Sequence, residues 1–311
     1  MNSWPRFRGF ALLCLVSVVL WLHVLIATCT LALRNDGYTH ILLVAPISIG
    51  LIWAEWRSRR SQPEWSFGTG SVLLVLAIVL GAAGGTWWGF GSIPADLRLT
   101  LSMLAFAIWW IGSFVCCFGT GVSRQYVFAL CFLLWLVPLP EFALTHIEGF
   151  LQQTSASCAR LLFNVADVPV TQDGVVLSIP GLTLEVAKEC SSIRSSLMLI
   201  VTAMVMAHLL LRSTWGKVVV SLAAIPLSVV KNGVRVFTLG LLGAYVDPGY
   251  LHGRLHRQGG IVFFFLGVFG LFAILGLVRH TERKITPHGV FERSAAQTAA
   301  SGTSTKSLSR R

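Results

Sequence analysis

Residues 9–33 read GFALLCLVSVVLWLHVLIATCTLAL, twenty-five positions with no Asp, Glu, Lys or Arg among them. About 20 apolar residues let a helix cross the hydrocarbon core of a bilayer. The run is too long for the apolar core of a cleaved signal peptide, which is roughly 7–15 residues. Leu25-Ile26-Ala27-Thr28-Cys29 has a faint likeness to a lipoprotein processing site, but Thr28 is a poor residue before the cysteine. The stretch therefore predicts an uncleaved first transmembrane helix. Further runs follow at about 40–56, 68–88, 99–120, 125–138, 190–211, 216–243 and 257–278, the fifth of them short and closed by Pro138-Leu139-Pro140. The whole chain of 311 residues is 55% hydrophobic and 12% charged, about half the charged fraction of an ordinary soluble domain. Transmembrane strands would alternate apolar and polar positions, whereas these runs are continuous, and a helix satisfies its own backbone in lipid. The predicted fold class is an all-α polytopic membrane protein with about eight transmembrane helices.

The loop charges orient it. With the N-terminus inside, the inside segments hold Arg6, Arg8, Arg57, Arg59, Arg60, Arg124, Arg212 and Lys217, and seven more Lys and Arg follow in the tail from Arg279 to Arg311. The outside segments hold six: Arg34, Arg98, Arg160, Lys188, Arg254 and Arg257. Fifteen against six is the positive-inside pattern, so both ends are expected in the cytoplasm. The same distribution accounts for the net charge of +11 without nucleic acid, since no basic helix or aromatic-basic stripe is present.

The expected domain is 1–278, followed by a basic, disordered cytoplasmic tail, 279–311, rich in Ser, Thr and Ala. One long outward connection, about 139–189, interrupts the spans. Glu141 to Val165 has apolar residues at helical spacing with Gln152, Gln153 and Ser155 opposite, which predicts an amphipathic helix at the outer surface. Val168 to Ile179, turning at Gln172-Asp173-Gly174, predicts a small β-hairpin. The plain alternative is a connector lying on the membrane. Seven cysteines show no paired framework, and most lie within apolar runs as small hydrophobes.

Three groups of polar residues lie at or within spans, where ionisable side chains mark functional sites by default. Cys190 and Arg194, in Glu189-Cys190-Ser191-Ser192-Ile193-Arg194-Ser195-Ser196, are four apart and share a face at the outer start of the sixth span. A helix N-terminus and an arginine both lower a thiol pKa; equally, Ser191, Ser192 and Ser195 cap the helix while Cys190 packs. In the seventh span, Arg235 follows Lys217 by eighteen residues, so a rise of about 1.5 Å each puts it roughly 27 Å across, near the outer boundary. Asn232 stands three before it, and the alternative for Arg235 is snorkelling to the outer headgroups. His252 and His256 lead into the eighth span and are open to reading as a base, a metal pair or solvated loop residues; no acidic third ligand is near, so no metal is assigned. With the topology set by loop charge, Cys190, Arg235 and His256 fall at one outer level on three consecutive helices. A thiolate, a cation for an oxyanion and a proton carrier are the parts of nucleophilic acyl transfer.

At these residues the sequence resembles the exosortase/archaeosortase family of membrane cysteine transpeptidases. Asn35-Asp36-Gly37-Tyr38-Thr39-His40 resembles the family's early D-x-x-Y-S-H element, and Val137-Pro138-Leu139-Pro140-Glu141 its P-L-P-E stretch. Leu184-Glu185-Val186 through Cys190-Ser191-Ser192-Ile193-Arg194-Ser195 resembles the C-S-G-x-x-S motif, Asn232-Gly233-Val234-Arg235-Val236 the N-x-x-R helix, and His256 with Gly260 the H-x-x-x-G segment. Ser192 departs from the usual glycine after Cys-Ser. The resemblance implies a thiol protease or transpeptidase of the inner membrane, working at the extracytoplasmic face without a cofactor. Its substrates would be exported proteins carrying a C-terminal PEP-CTERM-like tripartite signal: a short motif, an apolar helix and a basic end. It would serve surface sorting linked to exopolysaccharide export, with membrane lipid and an unidentified acceptor nucleophile as its other partners. By the resemblance Cys190 is the nucleophile, Arg235 the oxyanion stabiliser and His256 the proton carrier, with Arg194, Ser191 and Asn232 in support. The rival readings are a transporter or lipid-linked acyltransferase with an outer anion site, and an inactive scaffold of the same fold.

Overall fold

The computed structural model describes residues 4–58, 65–87, 93–186, 193–247, 249 and 260–285. The chain is built from helices, with one small sheet. In order they are α1 (Trp4–Leu20), α2 (Leu22–Arg34), a 3-10 turn (Asp36–Tyr38), α3 (Ile41–Ser58), α4 (Phe67–Ala83), α5 (Ala95–Phe118), α6 (Thr120–Gln125) and α7 (Val127–Phe132). A second 3-10 turn (Leu133–Leu136) precedes α8 (Glu141–Val165), then β1 (Thr171–Asp173), β2 (Val176–Ile179) and β3 (Leu182–Glu185). The last three helices are α9 (Ile193–Leu210), α10 (Thr214–Tyr245) and α11 (Gly260–Ile285). Four of the helices, α5, α9, α10 and α11, are long and apolar enough to cross a membrane, and there are up to six such spans if two bent pairs count as one each. Two shorter apolar helices, Ile41–Trp56 and Phe67–Ala83, complete the eight segments that the apolar runs predict. The fold is an all-α polytopic membrane fold.

The bends are where the structure departs from straight spans. The run 9–33 is broken at Trp21, where α1 and α2 meet at 73°. In the turn before the break, Trp109 Nε1 donates to the Leu13 carbonyl at 3.0 Å, Ser17 Oγ donates to the Cys14 carbonyl, and Trp110 Nε1 donates to Ser17 Oγ. Side chains that enter the backbone ladder in this way kink helices. Trp21 itself is fully buried against Trp87, Phe106 and Trp109. The short fifth segment, Val127–Leu136, turns by 97° into α8 through the Pro138–Pro140 stretch.

The contacts at the helix ends sort the bundle into two levels. At one end Phe7 packs on Trp56 and Phe118, Arg6 lies 5.6 Å over the Trp65 ring, and His208 Nε2 meets Glu55 Oε1 at 2.7 Å. At that same end the Glu282 carboxylate, near the end of α11, accepts from the Arg212 and Ser213 N–H groups and from Ser213 Oγ. At the other end Tyr38 Oη donates to the Leu139 carbonyl, Thr100 Oγ1 donates to the Pro138 carbonyl, and Asp96 Oδ2 accepts from Glu141 N–H. The start of α1 and the end of α11 therefore share one level, as an even number of crossings requires. α11 runs to Ile285, past the apolar run, and the rest of the expected tail, 286–311, lies outside the described residues.

The outer connection has the expected helix, α8, and the hairpin β1–β2 with Gly174 at φ 57° in its turn. A third strand, β3, pairs antiparallel with β2, and the sheet order is β1-β2-β3. Leu177, Ile179 and Leu184 on this sheet, with Val186 just after it, pack with Ala156, Ala159 and Phe163 of α8 and Val236 of α10.

Because lipid tails are as apolar as the side chains, helices in a membrane associate through close packing. α4 and α5 show this most directly. A Cβ on Gly70 would stand 2.6 Å from Cys116 Cα, and one on Gly112 would stand 2.9 Å from Leu73 Cβ. Gly70→Ala is expected to lower stability by about 1–3 kcal/mol through overpacking. Gly50→Ala, where nothing lies within 4 Å of the added carbon, is expected to leave it unchanged. Thermal unfolding of the purified chain in detergent checks both.

Candidate active site

The second of the two levels gathers sequence elements that are far apart in the chain. Gly37, in the 3-10 turn after α2, lies where an added Cβ would be 3.5 Å from Ile193 Cγ2 and 3.9 Å from Leu144 Cδ1. The Asn35–His40 element therefore abuts both the start of α9 and the start of α8. Its Asn35 side chain accepts from Gly37 N–H and closes the turn. Its Tyr38 hydroxyl ties the turn to Leu139 at 2.8 Å. Burial, with Asp96, Glu141 and Glu148 near it, pushes the Tyr38 phenol above its ordinary range, so it stays a donor. Val186 is held at this level by Gln152 Nε2, which donates to its carbonyl, and by its own N–H to the Val175 carbonyl.

α10 brings the cationic residues to the same place. It runs unbroken from Thr214 to Tyr245, capped at its start by Ser213, which accepts from Gly216 N–H. Arg235 is 4% exposed and Asn232 1% exposed, so both are enclosed by protein on the helix that reads as the seventh span. Arg235 Nη1 lies 3.8 Å from where a side chain on Gly260 would begin, which sets the guanidinium against the first residue of α11. Snorkelling, the alternative for Arg235, would carry the head out to headgroups and water; burial inside the bundle is the observed state. The turn at Asn232–Arg235 is fixed from behind by α8. A Cβ on Gly233 would stand 2.6 Å from Cys158 Sγ, and one on Gly240 2.7 Å from Phe163 and Leu184.

Lys231 is the residue that sequence reasoning passed over. It is 3% exposed, one turn before Arg235, and its Nζ donates to Ser195 Oγ in the first turn of α9. Two signals pointed to it: an ionisable residue inside a span and the four-residue spacing that sets it on the Arg235 face. Arg194 is exposed in the first turn of α9. Cys190, Ser191, Ser192, His252 and His256 lie outside the described residues. A surface cavity of about 390 Å³ lies at the opposite level; its lining among the described residues, Trp65, Ser66, Phe118 to Val122 and Gln125, holds no ionisable side chain. Among the described residues no group of three His, Cys, Asp or Glu is placed to hold a metal.

The family model of transmembrane exosortases matches residues 32–273 of the chain. The protein belongs to the transmembrane exosortase family. The match begins just before the Asn35–His40 element and ends midway along α11, so it covers every stretch that the bundle gathers at this level. No curated protein and no solved structure matches the chain. Exosortase membership accords with the bundle, whose matched region holds its candidate spans except most of the first bent pair and the later part of the last span.

The gathered turns depend on single hydrogen bonds between elements. Tyr38→Phe removes the donor to Leu139 and is expected to cost roughly 1–2 kcal/mol. The check is a lowered unfolding temperature in detergent together with faster proteolytic cleavage near residues 35–40.

Proposed function

We propose that this exosortase is a membrane-embedded cysteine transpeptidase that cleaves the C-terminal sorting signal of exported proteins. The observation that carries the reading is Arg235, a cation enclosed within a membrane helix and facing the start of α11 at the level where the motif-bearing turns meet. An arginine enclosed within a membrane helix marks a functional site by default, and a guanidinium is a donor suited to the oxyanion of acyl transfer. Covalent reach supports the partners assigned from sequence. Cys190 stands three residues before α9 and His256 four before α11, and chain segments of that length span at most about 11 Å and 14 Å.

The reaction then runs as follows. The Cys190 thiolate attacks the carbonyl carbon of the scissile peptide, and Arg235 holds the negative charge that moves onto the oxygen. The C–N bond breaks as His256 gives a proton to the leaving amine, which departs with the apolar helix and basic end of the signal. A thioester remains. An acceptor nucleophile, water or an amine or hydroxyl on a membrane lipid, loses its proton to His256, attacks the thioester and releases the thiolate. Ser191 and Arg194 support the thiolate, and Asn232 supports the Arg235 face. On this reading the site faces the extracytoplasmic side of the inner membrane, a topology that the excess of basic residues at the other level supports. The membrane domain, 1–278, carries this chemistry, and the basic tail lies in the cytoplasm.

A tail-bearing reporter co-expressed with the wild-type chain is expected to shorten, and Cys190→Ala, Arg235→Ala and His256→Ala are each expected to leave it intact. Gel mobility and mass spectrometry of the new C-terminus measure this. Normal processing by Cys190→Ala would sink the reading.

A further inference from the structure

The small sheet has two edges, and they are finished differently. In an antiparallel pair, residues alternate between turning their backbone N–H and C=O toward the partner strand and turning them away. Val186 N–H donates to the Val175 carbonyl. With the register Leu177↔Leu184 and Ser178↔Thr183, it follows that Leu182, Leu184 and Val186 turn toward β2 while Thr183 and Glu185 turn away. Both of these residues are exposed. Among the described residues no strand pairs with that side of β3, and the outward N–H and C=O groups of Thr183 and Glu185 have no hydrogen-bond partner. The β1 edge is shorter and tied down. There Gln172 is the residue turned outward, and its Nε2 donates to the Gly174 carbonyl at 2.8 Å and to Ser157 Oγ of α8 at 3.3 Å.

A row of outward N–H and C=O groups is matched by one shape of ligand, an extended backbone that adds as a further strand. Position says which backbone. β1 and β2 contact α8, whereas β3 contacts α10, where a Cβ on Gly240 would stand 2.7 Å from Leu184 Cδ1. Gly240 is five residues beyond Arg235, about 7.5 Å farther along the helix, so the edge stands just outside the level of the guanidinium. After Val186, whose carbonyl accepts from Gln152, the chain leads on to the start of α9 at Ile193. A substrate anchored in the bilayer by an apolar helix carries the segment before that helix at this depth. The segment must be presented unwound for cleavage, because a helix holds each carbonyl in its own ladder. β3 offers it 4 residues of strand, a length of ~13 Å.

We propose that β3 is the substrate-docking strand: the extended segment that precedes the apolar helix of a sorting tail adds to its free edge, bonding to the backbone of Thr183 and Glu185. The identity of the peptide rests on the transpeptidase reading, and the manner of its binding rests on the sheet. Main-chain bonds of this kind give affinity and tolerate many side chains, while the alternate residues on the inner face of the sheet are left to set specificity. The edge serves binding, not the chemical step.

The test uses the full chain in detergent with Thr183→Pro, Glu185→Pro and Thr183→Val. Proline removes an outward N–H and fills its place with the ring; that N–H does not bond to β2, so the sheet is kept. Each proline variant is expected to raise KM for the purified sorting-tail reporter about tenfold with kcat nearly unchanged, and Thr183→Val to leave both as in the wild type. The second measurement is fluorescence anisotropy of a labelled synthetic PEP-CTERM-type tail peptide on the Cys190→Ala chain, with the peptide's backbone N–H groups methylated one at a time. Methylation is expected to weaken binding about tenfold at alternate positions and little at those between, since every second residue of an added strand faces β3. Proline variants with wild-type kinetics overturn the proposal, as does a methylation profile without a period of two. If the proline variants do not fold, the methylation profile decides alone. A Thr183→Pro chain that binds the peptide normally but loses a dimer in size-exclusion chromatography assigns the edge to a second copy and overturns the proposal too. A Cys190→Ala chain that still cleaves the reporter, or a wild type that cleaves none, defeats the protease reading; the methylation profile then judges the docking strand by itself.

Discussion

Hydrocarbon offers no partner to a polar group, and the architecture of this exosortase follows from that constraint. Several polar side chains within the bundle find their partners inside the protein. Ser48 gives its proton to the Ala129 carbonyl, Thr86 to Ser102, and Lys231 reaches across two helices to Ser195. Trp109 and Trp110 spend their indole N–H groups on α1, and the bend at Trp21 follows directly after. Pairings that satisfy polar groups thus shape the helices. The same solvent supplies no hydrophobic drive between helices, so glycines at Gly70, Gly112 and Gly233 let backbones approach until dispersion contacts hold them.

The two ends of the bundle use polar groups differently. At the end with the excess of basic residues, the polar contacts are clasps. Glu282 caps the start of α10, and His208 both pairs with Glu55 and stacks on Phe128 at 3.9 Å. At the opposite end, Lys231 and Arg235 place two cations on one buried face of α10. α8 and the small sheet close one side of this region, with Phe163 and Leu184 filling the space beside Gly240.

Much of this was legible along the chain because membrane solvation acts on local composition. Continuous apolar runs give the helices, the count of Lys and Arg gives their alternation, and the spacing of Glu141 to Val165 gives α8 with the bounds observed. Arg235 stood out because an arginine about 27 Å into a span is improbable without a role. Asp173-Gly174 marked the hairpin turn correctly. Leu182–Glu185 did not announce itself as a strand, because four residues after Pro180-Gly181 carry too little pattern without their partner strand.

The sequence by itself determined the fold class, the number of apolar segments, the alternation of the helices and the family, since each depends on residue type and local order. Tertiary structure alone decided that α1 and α2 break at Trp21, that Gly37 meets Ile193 across the bundle, and that Lys231 ends on Ser195. These are contacts between residues distant in the chain. Their geometry is set by how helices cross and what each glycine admits, and no periodicity within a single helix encodes where another helix will lie.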